Sequence, residues 1–570
     1  MELLVFLLCA SWCMSVTEQA PSYLITAPKI VRIGVKETVT IQMFEARGNF
    51  DASIYLLNQR EMAVCSDRHT VKLNHTNNFA EVLFIQILPE NARQCKLSRR
   101  SRYVTLAVEI PKLLSRRRMI HLHIRPKPYF IFIETDKPTY RPNDTVRFQT
   151  FSLDHELKLS RCDVDVEIRQ SNTIVAMARS RTQGPTAVCR GEVQLPSSLV
   201  GDFEMQGSST LYSAYQGHKP FQIKEHGGME EKKSIVPNFL KYAINLTKTK
   251  RYFIPGAPFQ IMASAGDITV GNDVSQEIAI KCHDSKQAYL HIGVTNALLY
   301  TGDIIDVTLS PFSRADISDV NYFYYMVLNK GKVLLFDRVR KTVNTSFPVT
   351  ITDEMVPYFR IVSYYFVNIN GNKSIISDSV RVEVEDLCSS KFQVQPALYT
   401  DNDQQRLLLS VFSNQVSDVF VRAVDTQLYG PKRDTSMYHQ AFYWKDYYDF
   451  GSSYGGGQNS VKVFEDAGLR LISDLMESTE ISETTSIPWQ RGPLTVSRSG
   501  IETAETHNIV HPTYEHTWMW QIENASGQKT YRLTSDINPP QFWEISAFRI
   551  TEDSEVCIAK PLIMRIDDSI

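Results

Sequence analysis

One pattern of apolar and polar positions recurs along the chain: an apolar position, a turn of Pro, Gly, Asn or Asp, then a run of alternating apolar residues. It appears as Lys29-Ile-Val-Arg-Ile-Gly34 before Val39-Thr-Ile-Gln-Met43, and as Thr139-Tyr-Arg-Pro-Asn-Asp144 before Val146-Arg-Phe-Gln-Thr150. It returns as Tyr252-Phe-Ile-Pro-Gly256 before Phe259-Gln-Ile-Met262, and as Tyr300-Thr-Gly-Asp303 before Ile305-Asp-Val-Thr-Leu309. The loosest copy is Tyr399-Thr-Asp-Asn-Asp403 before Leu407-Leu-Leu-Ser-Val411. Pro or Gly sets the turn dihedrals, and alternation then puts every second side chain on one buried face. Further strand-like runs lie between the copies, among them Val104–Ile110, Val164–Ile168 and Val380–Val384, whereas long amphipathic helices are hard to find. The pattern predicts an all-β chain of antiparallel sandwiches in series, each of about 100 residues.

The spacing of the copies carries more information. Most are about 100 to 113 residues apart, but the third and fourth are only about 46 apart. Seven strands do not fit in that length, so the unit from about Tyr242 to Ala288 is expected to be incomplete or to borrow strands from a neighbour. The stretch from Ser473 to Pro512 is rich in Ser, Thr and Glu and has no sustained period. It buries too little apolar area to offset an ordering cost of about 1–2 kcal/mol per residue, and is expected to be an exposed, flexible insert.

Composition narrows the classes. At 570 residues the chain exceeds one hydrophobic core, and 43% hydrophobic with 22% charged residues is ordinary for folded protein. A formal net charge of -2 gives no bulk attraction to nucleic acid. The apolar run Leu3–Cys13 suits a signal-peptide core within residues 1–20, and no later run is long enough to span a bilayer. Secretion is therefore expected. Removing the signal leaves Cys65, Cys95, Cys162, Cys189, Cys282, Cys388 and Cys557, with none of the CxxC spacing that zinc favours. In an oxidising compartment Cys65–Cys95 and Cys162–Cys189 are natural local bridges. Sequons at Asn74, Asn143, Asn245, Asn344, Asn372 and Asn524 predict a glycosylated exterior.

Tyr129-Phe-Ile-Phe-Ile-Glu-Thr-Asp-Lys-Pro-Thr-Tyr-Arg-Pro142 resembles the start of the second macroglobulin domain of complement components three, four and five and of alpha-2-macroglobulin. Ser22–Pro28 resembles their mature start, and Met326–Val333 and Ser377–Val380 their fifth domain. Val421–Asp425, Phe464–Leu469, Trp518–Trp520 and Trp543–Ile545 resemble their sixth. The resemblance implies fibronectin-III-like macroglobulin domains at 21–126, 127–225, 289–387 and 388–472 with 513–570. It also implies a linker with part of a fourth domain at 226–288, the third domain absent, and a bait-like insert at 473–512. It pairs Cys388 with Cys557 across the sixth domain, which would stabilise by roughly 4–5 kcal/mol on the chain-entropy model. The small cysteine-rich domain of complement proteins, their polybasic cleavage site and the Gly-Cys-Gly-Glu-Gln thioester are all missing.

The implied function is a secreted protease trap of innate immunity. Arg470, Arg491 and Arg498 are then the bait-like protease contacts. The alternatives are a complement-like binding scaffold without inhibitory activity, and a truncated form of a longer thioester protein. Expected partners are proteins, either proteases or complement-type partners, with no nucleic acid, membrane span, cofactor or metal. No motif for a nucleophile elbow, zinc protease or phosphate loop is present, so no enzyme is expected. Gly455-Gly-Gly457 does not open a helix in this reading, and His121-Leu-His123 reads as a surface or edge-strand pair. Arg99-Arg-Ser-Arg102 and Ser115-Arg-Arg-Arg118 admit heparin or protease recognition, with charged loops that block strand pairing as the simpler reading. The aromatics from Tyr438 to Tyr454 read as core or interdomain packing before a partner site.

Overall fold

The computed structural model describes residues 21–475 and 517–565, apart from 225–242, 254–263, 267–280, 426–449 and shorter breaks of one to eight residues. The expected signal segment 1–20 and most of the insert lie outside the described residues. Among the described residues no helix exceeds seven residues, and the chain is an all-β series of mainly antiparallel sheets.

The first sandwich is built from β1 (Ser22–Pro28), β2 (Ile30–Arg32), β3 (Glu37–Phe44), β4 (Phe50–Asn58), β5 (Ala63–Val64), β6 (His69–Leu73), β7 (Ala80–Ile85), β8 (Tyr103–Glu109) and β9 (Arg118–Arg125). One sheet contains β1-β3-β7 and the other β2-β9-β8-β4-β5, with β6 beside β4. Alternation works as the sequence predicts: Val39, Ile41 and Met43 of β3 meet Ile54, Leu56, Leu106 and Leu122 in one core. Cys65 and Cys95 are disulfide-bonded, which ties the β4–β6 side to the short helix Pro89–Gln94.

The second sandwich holds β10 (Phe130–Thr135), β11 (Thr139–Tyr140), β12 (Thr145–Leu153), β13 (Leu159–Ser160), β14 (Asp163–Gln170), β15 (Thr173–Thr182), β16 (Cys189–Gln194), β17 (Gly201–Ser209) and β18 (Gln216–Ile223). They run in the order β10-β12-β16-β15-β14-β17-β18-β11 around Ile131, Ile133, Val164, Val166, Phe203 and Met205. Cys189 is disulfide-bonded, and Cys162 lies outside the described residues. Beyond it, β19 (Ala243–Asn245) pairs β21 (Ser264–Gly266), and β20 (Tyr252–Phe253) pairs β22 (Lys281–Cys282). These two ladders are the regular structure described within 226–288.

The next sandwich comprises β23 (Ala288–Val294), β24 (Ile304–Ser313), β25 (Tyr322–Asn329), β26 (Lys332–Arg340), β27 (Thr345–Thr350), β28 (Tyr358–Ile369) and β29 (Asn372–Glu383). Its sheets are β23-β24-β27 and β26-β25-β28-β29. The last body begins with β30 (Phe392–Asp401) and the 22-residue β31 (Gln404–Asp425). β32 (Leu469–Ser473), β33 (Thr517–Leu533), β34 (Phe542–Thr551), β35 (Val556–Ile558) and β36 (Leu562–Arg565) follow. β31 pairs β30, β33 and β34 at once, with register shifts between Ser413 and Val419. There the fully buried Arg549 donates to Ser413 Oγ at 2.8 Å and Asn414 Oδ1 at 2.6 Å. Cys388 and Cys557 are bonded across 169 positions.

One placement corrects the sequence reading and a second refines it. β32 was expected in the sixth domain, yet it pairs β1 and completes the sheet β32-β1-β3-β7 of the first sandwich. His121 and His123 lie partly exposed on β9, where β2 pairs residues 123–125, so that His123 sits between two strands and His121 lies beyond the β2 ladder. His121 Nδ1 is 3.0 Å from Thr105 Oγ1, and the His123 ring packs 4.7 Å from Tyr103.

A second seam joins the second sandwich to the last body. Phe130, Phe132, Phe151 and Leu153 pack on Phe420 and Phe548. The rings stack at 4.7 Å for Phe132–Phe151, 5.1 Å for Phe151–Phe548 and 4.7 Å for Phe420–Phe548. Beside them Lys219 Nζ is buried 2.9 Å from Glu134 Oε2, with Arg422 3.9 Å from the same oxygen. Burial pushes the Lys219 ammonium down, against the pull of Glu134.

Candidate functional site

The described residues next to the insert form a junction of three parts: the first sandwich, the β23–β29 sandwich and the stretch 450–475. The stretch opens with Phe450, whose ring receives the Arg32 guanidinium at 5.3 Å. Arg32 is itself buried against Glu37 at 2.8 Å. Phe450 also packs on Gly331 (φ 77) and Gly468 (φ 93). A Cβ at either glycine would overlap that residue, and both φ values favour glycine in any case. Of the aromatic run Tyr438–Tyr454, Phe450 is the described member, and its contacts are interdomain.

Gly455-Gly-Gly457 then runs along β29, with Gly456 N–H donating to Ser379 O at 2.7 Å. A Cβ on Gly457 would meet Val463 N at 2.5 Å, so the glycines permit close packing on the helix Ser460–Asp466. Asn459 caps that helix, accepting from Lys462 N at 3.0 Å. Its buried face, Val463 and Phe464, joins Leu469 and Leu471 of β32 in one core with Leu24, Met326, Leu328, Val362 and Tyr364. β32 aligns Leu24 with Ser473 and Ala27 with Arg470. Its end is closed by Ser473 Oγ donating to Tyr23 O at 2.8 Å and Tyr23 N–H donating to Asp474 Oδ1 at 2.9 Å.

The two sandwiches also meet directly. Tyr364 Oη donates to Gln42 Oε1 at 2.6 Å, Val333 N–H to Thr38 Oγ1 at 2.7 Å, and Arg338 Nη2 to Asn78 Oδ1 at 2.6 Å. Phe44 packs 3.6 Å from Phe366. A cleft of about 230 Å³ opens along this seam between Glu81 and Asn77 on one side and Tyr324 and Phe336 on the other.

Charged groups crowd the junction. Arg470 Nη1 contacts Glu465 Oε1 at 2.7 Å, and both side chains are under one-tenth exposed. Glu465 also pairs with Lys462. Burial holds Lys29 down at about 8, against the pull of Asp466 and Glu465. Burial, reinforced by Arg470, Arg125 and Lys29, holds His123 down at about 4. Among the described residues no cluster suited to a metal ion occurs.

Arg470 is therefore no protease contact in this arrangement: its side chain is 8% exposed, inside a strand pairing and matched by a carboxylate. Arg491 and Arg498 lie outside the described residues. Asn143 and Asn344 are exposed. Asn74 is partly exposed, its Oδ1 accepting from Thr76 N at 2.9 Å and Thr76 Oγ1 at 2.6 Å. Asn245, Asn372 and Asn524 fall on β19, β29 and β33. The sequence reading singled out neither Lys29 nor the coupling of His123 to Arg470. The signal that could have found β32 was Leu469-Arg-Leu471 alternation directly after Gly468.

Comparison with known proteins fits this architecture. The macroglobulin domain MG1 matches residues 20–121, and the alpha-2-macroglobulin bait region domain matches residues 290–430. Complement C3 of Naja naja is 28% identical over 248 residues, covering 41% of this chain and 15% of that protein. The chain belongs to the alpha-2-macroglobulin and complement superfamily. A.superbus venom factor 2 of Austrelaps superbus is 31% identical to this macroglobulin over 210 residues, 35% of this chain and 12% of the relative. The venom factor of Crotalus adamanteus is 27% identical over 311 residues, 43% and 19% respectively. This macroglobulin chain thus spans less than a fifth of each relative's length. A superposition on the native conformation of E. coli alpha-2-macroglobulin covers 96% of this chain and 40% of that one at 10% identity. Its TM-score of 0.26 is too low to carry an argument. The bait-region match stops at residue 430, before the Ser/Thr/Glu-rich stretch. No helix among the described residues is long and apolar enough to cross a membrane.

Proposed function

We propose that this macroglobulin is a secreted, glycosylated, non-enzymatic scaffold of innate immunity that works as a protease trap. A protease cuts between Ser473 and Pro512, and the sandwiches rearrange about the cut. One observation carries the reading: the segment's two flanks are held in different bodies. β32 is paired into the first sandwich, whereas β33 is paired into the last body beside β31. Cutting between them uncouples those anchors, while the Cys388–Cys557 bond keeps the two pieces together. Proteins, not cofactors, are the expected partners. The test is limited digestion with trypsin, chymotrypsin and elastase, followed by reducing and non-reducing gels. The expected result is one early cut within 473–512, fragments that separate only on reduction, and a protease that keeps peptide substrates but loses large ones. An intact segment at doses that degrade the sandwiches overturns the reading.

A second reading is a complement-like binding scaffold without inhibitory activity. It is favoured by the relatives found by sequence, a complement C3 and venom factors, and by the bait-region match ending at residue 430. It predicts partner binding indifferent to a cut in 473–512. The reduced, deglycosylated mass of the native protein, detected through its first two domains, tests whether this chain acts alone or within a longer thioester protein. A band near 65 kDa, less the signal peptide, supports the first, and one roughly twice as large the second.

A further inference from the structure

Charge is shared unevenly along the chain. Residues 21–125 hold 17 Lys and Arg against eight Asp and Glu, an excess of nine in a chain whose net charge is -2. Twelve of the 17 are arginine, whose planar fork matches the oxygens of sulfate and carboxylate groups. Such asymmetry marks a surface for a polyanion.

Folding concentrates part of this excess on the outer face of the β4–β8–β9 sheet. Ile54 and Leu56 of β4 line the main core, while Tyr55 and Leu57 pack with Ala107 on the opposite side. The Arg68 guanidinium lies 4.0 Å over the Tyr55 ring. Arg117 Nη1 donates to Tyr55 Oη at 3.4 Å, and its Nη2 lies 3.9 Å from Met62 Sδ. One tyrosine therefore brings the turn at 59–62, the loop before β6 and the loop before β9 to a single spot. Arg60, Lys112 and Arg116 are exposed on the turn and the loop that carry these contacts, whereas Arg118 reaches Tyr23 on the other face. Lys112 donates to the uncharged Asn49 O at 2.8 Å. The side chains of Arg60 and Arg116 form no ion pair among the described residues. Of the neighbouring acids, Glu109 is engaged by Arg68 at 3.1 Å and by the Tyr55 hydroxyl at 2.7 Å. Glu61 is engaged by Lys96 at 2.9 Å, and Asp67 borders the patch.

We propose that this face, centred on Arg68 and Arg117, binds a sulfated polysaccharide through its sulfate groups. The Cys65–Cys95 bond in the same sandwich places the surface in an oxidising compartment, where polysaccharides are abundant polyanions and nucleic acids are not. Tyr55 is only 1% exposed, so it offers no ring for a base to stack on. The cations project from short, fixed loops around a covered tyrosine, which suits a flexible chain of sulfates laid across the face.

The test is elution of the full chain from immobilised heparin in an NaCl gradient, compared with a sulfopropyl resin. Arg60→Ser/Lys112→Ser/Arg116→Ser is the patch variant. Arg147→Ser/Arg340→Ser/Lys529→Ser removes the same charge elsewhere. Wild type is expected to leave heparin at higher salt than the sulfopropyl resin. The patch variant is expected to lose about tenfold or more in affinity near physiological salt, its salt slope flattening by roughly one per cation removed. The second variant is expected to stay close to wild type. Arg116→Ser alone, with an unchanged unfolding midpoint, keeps a smaller shift in the same direction if the triple change perturbs folding. Equal shifts for both triple variants overturn the proposal. So does wild-type elution no later from heparin than from the sulfopropyl resin. Competition by duplex DNA or phosphatidylserine-rich vesicles as strong, per charge, as by heparin also overturns it.

Discussion

The two seams of this molecule solve the same problem with different chemistry. Between the second sandwich and the last body, stacked phenylalanines form an apolar patch beside a buried lysine–glutamate pair. Between the first sandwich and the β23–β29 sandwich, single hydrogen bonds accepted by Gln42, Thr38 and Asn78 set the contact beside the Phe44–Phe366 pair. A helix and a strand from a third part of the chain fill the rest. Apolar area gives strength without direction, whereas hydrogen bonds and charge fix register and respond to protonation. The aromatic seam is suited to holding, and the junction beside the insert to being set and released.

The comparison can be broken hardest at its aromatic side. Phe548→Ala removes the ring shared by Phe151 and Phe420, and should cost about 3–5 kcal/mol, read as a lower urea midpoint. A loss below about 1 kcal/mol would mean that the stack does not hold the seam. Glu134→Gln should come next, at roughly 3 kcal/mol, because it leaves Lys219 buried without its carboxylate. Its unfolding midpoint should recover partly at alkaline pH, as Lys219 sheds its proton.

The junction is expected to yield to smaller pushes. Gly468→Ala forces a Cβ toward Phe450 at a φ of 93 and should cost about 1–2 kcal/mol. Faster amide exchange across β1 and β32, with the second sandwich unchanged, is the readout. Acid should have the smallest effect and the most selective one. His123 is held at about 4 against an ordinary 6.5, by burial first and then by Arg470 of β32, with Arg125 and Lys29 also facing it, so releasing β32 raises it toward the ordinary value. The released state therefore binds protons first, and docking weakens as pH falls from 6.5 toward 4. Screening at this half-buried site limits the loss to about 1 kcal/mol. Lys29 acts at the other end: held at about 8 against 10.5, it penalises docking fully below 8 and releases that penalty as pH rises to 10.5. His123→Gln should abolish the acid limb of amide exchange in β32 while leaving the alkaline limb. An unchanged acid limb would rule out His123 as its source.

Much of the fold was legible because local alternation carries it. In β24, Ile305, Val307 and Leu309 are buried between exposed Asp306 and Thr308, as the pattern predicts. β3 shows where that logic stops. Thr38, Thr40 and Gln42 occupy its polar face, which reads as solvent, yet all three are buried. Thr40 bonds Thr26 at 2.6 Å, and Thr38 and Gln42 bond the neighbouring sandwich. Polarity in a sequence does not distinguish water from a polar partner. Arg470 misleads for the same reason: next to a Ser/Thr/Glu-rich stretch it reads as exposed, whereas its carboxylate and strand partner come from Glu465 and a segment more than 440 positions away.

The pairing of β1 with β32 has a consequence for how the protein is made. Tyr23 and Ser473 are 450 positions apart, so at synthesis rates of roughly 5–20 residues per second the outer edge of β1 waits about 20 to 90 s for its neighbour. During that interval the first sandwich has emerged with a bare row of backbone donors and acceptors, a template for any other unpaired strand. The nascent chain thus carries an open edge while the 450 positions between Tyr23 and Ser473 are added, and the last-made part of the junction is what closes the first-made sheet.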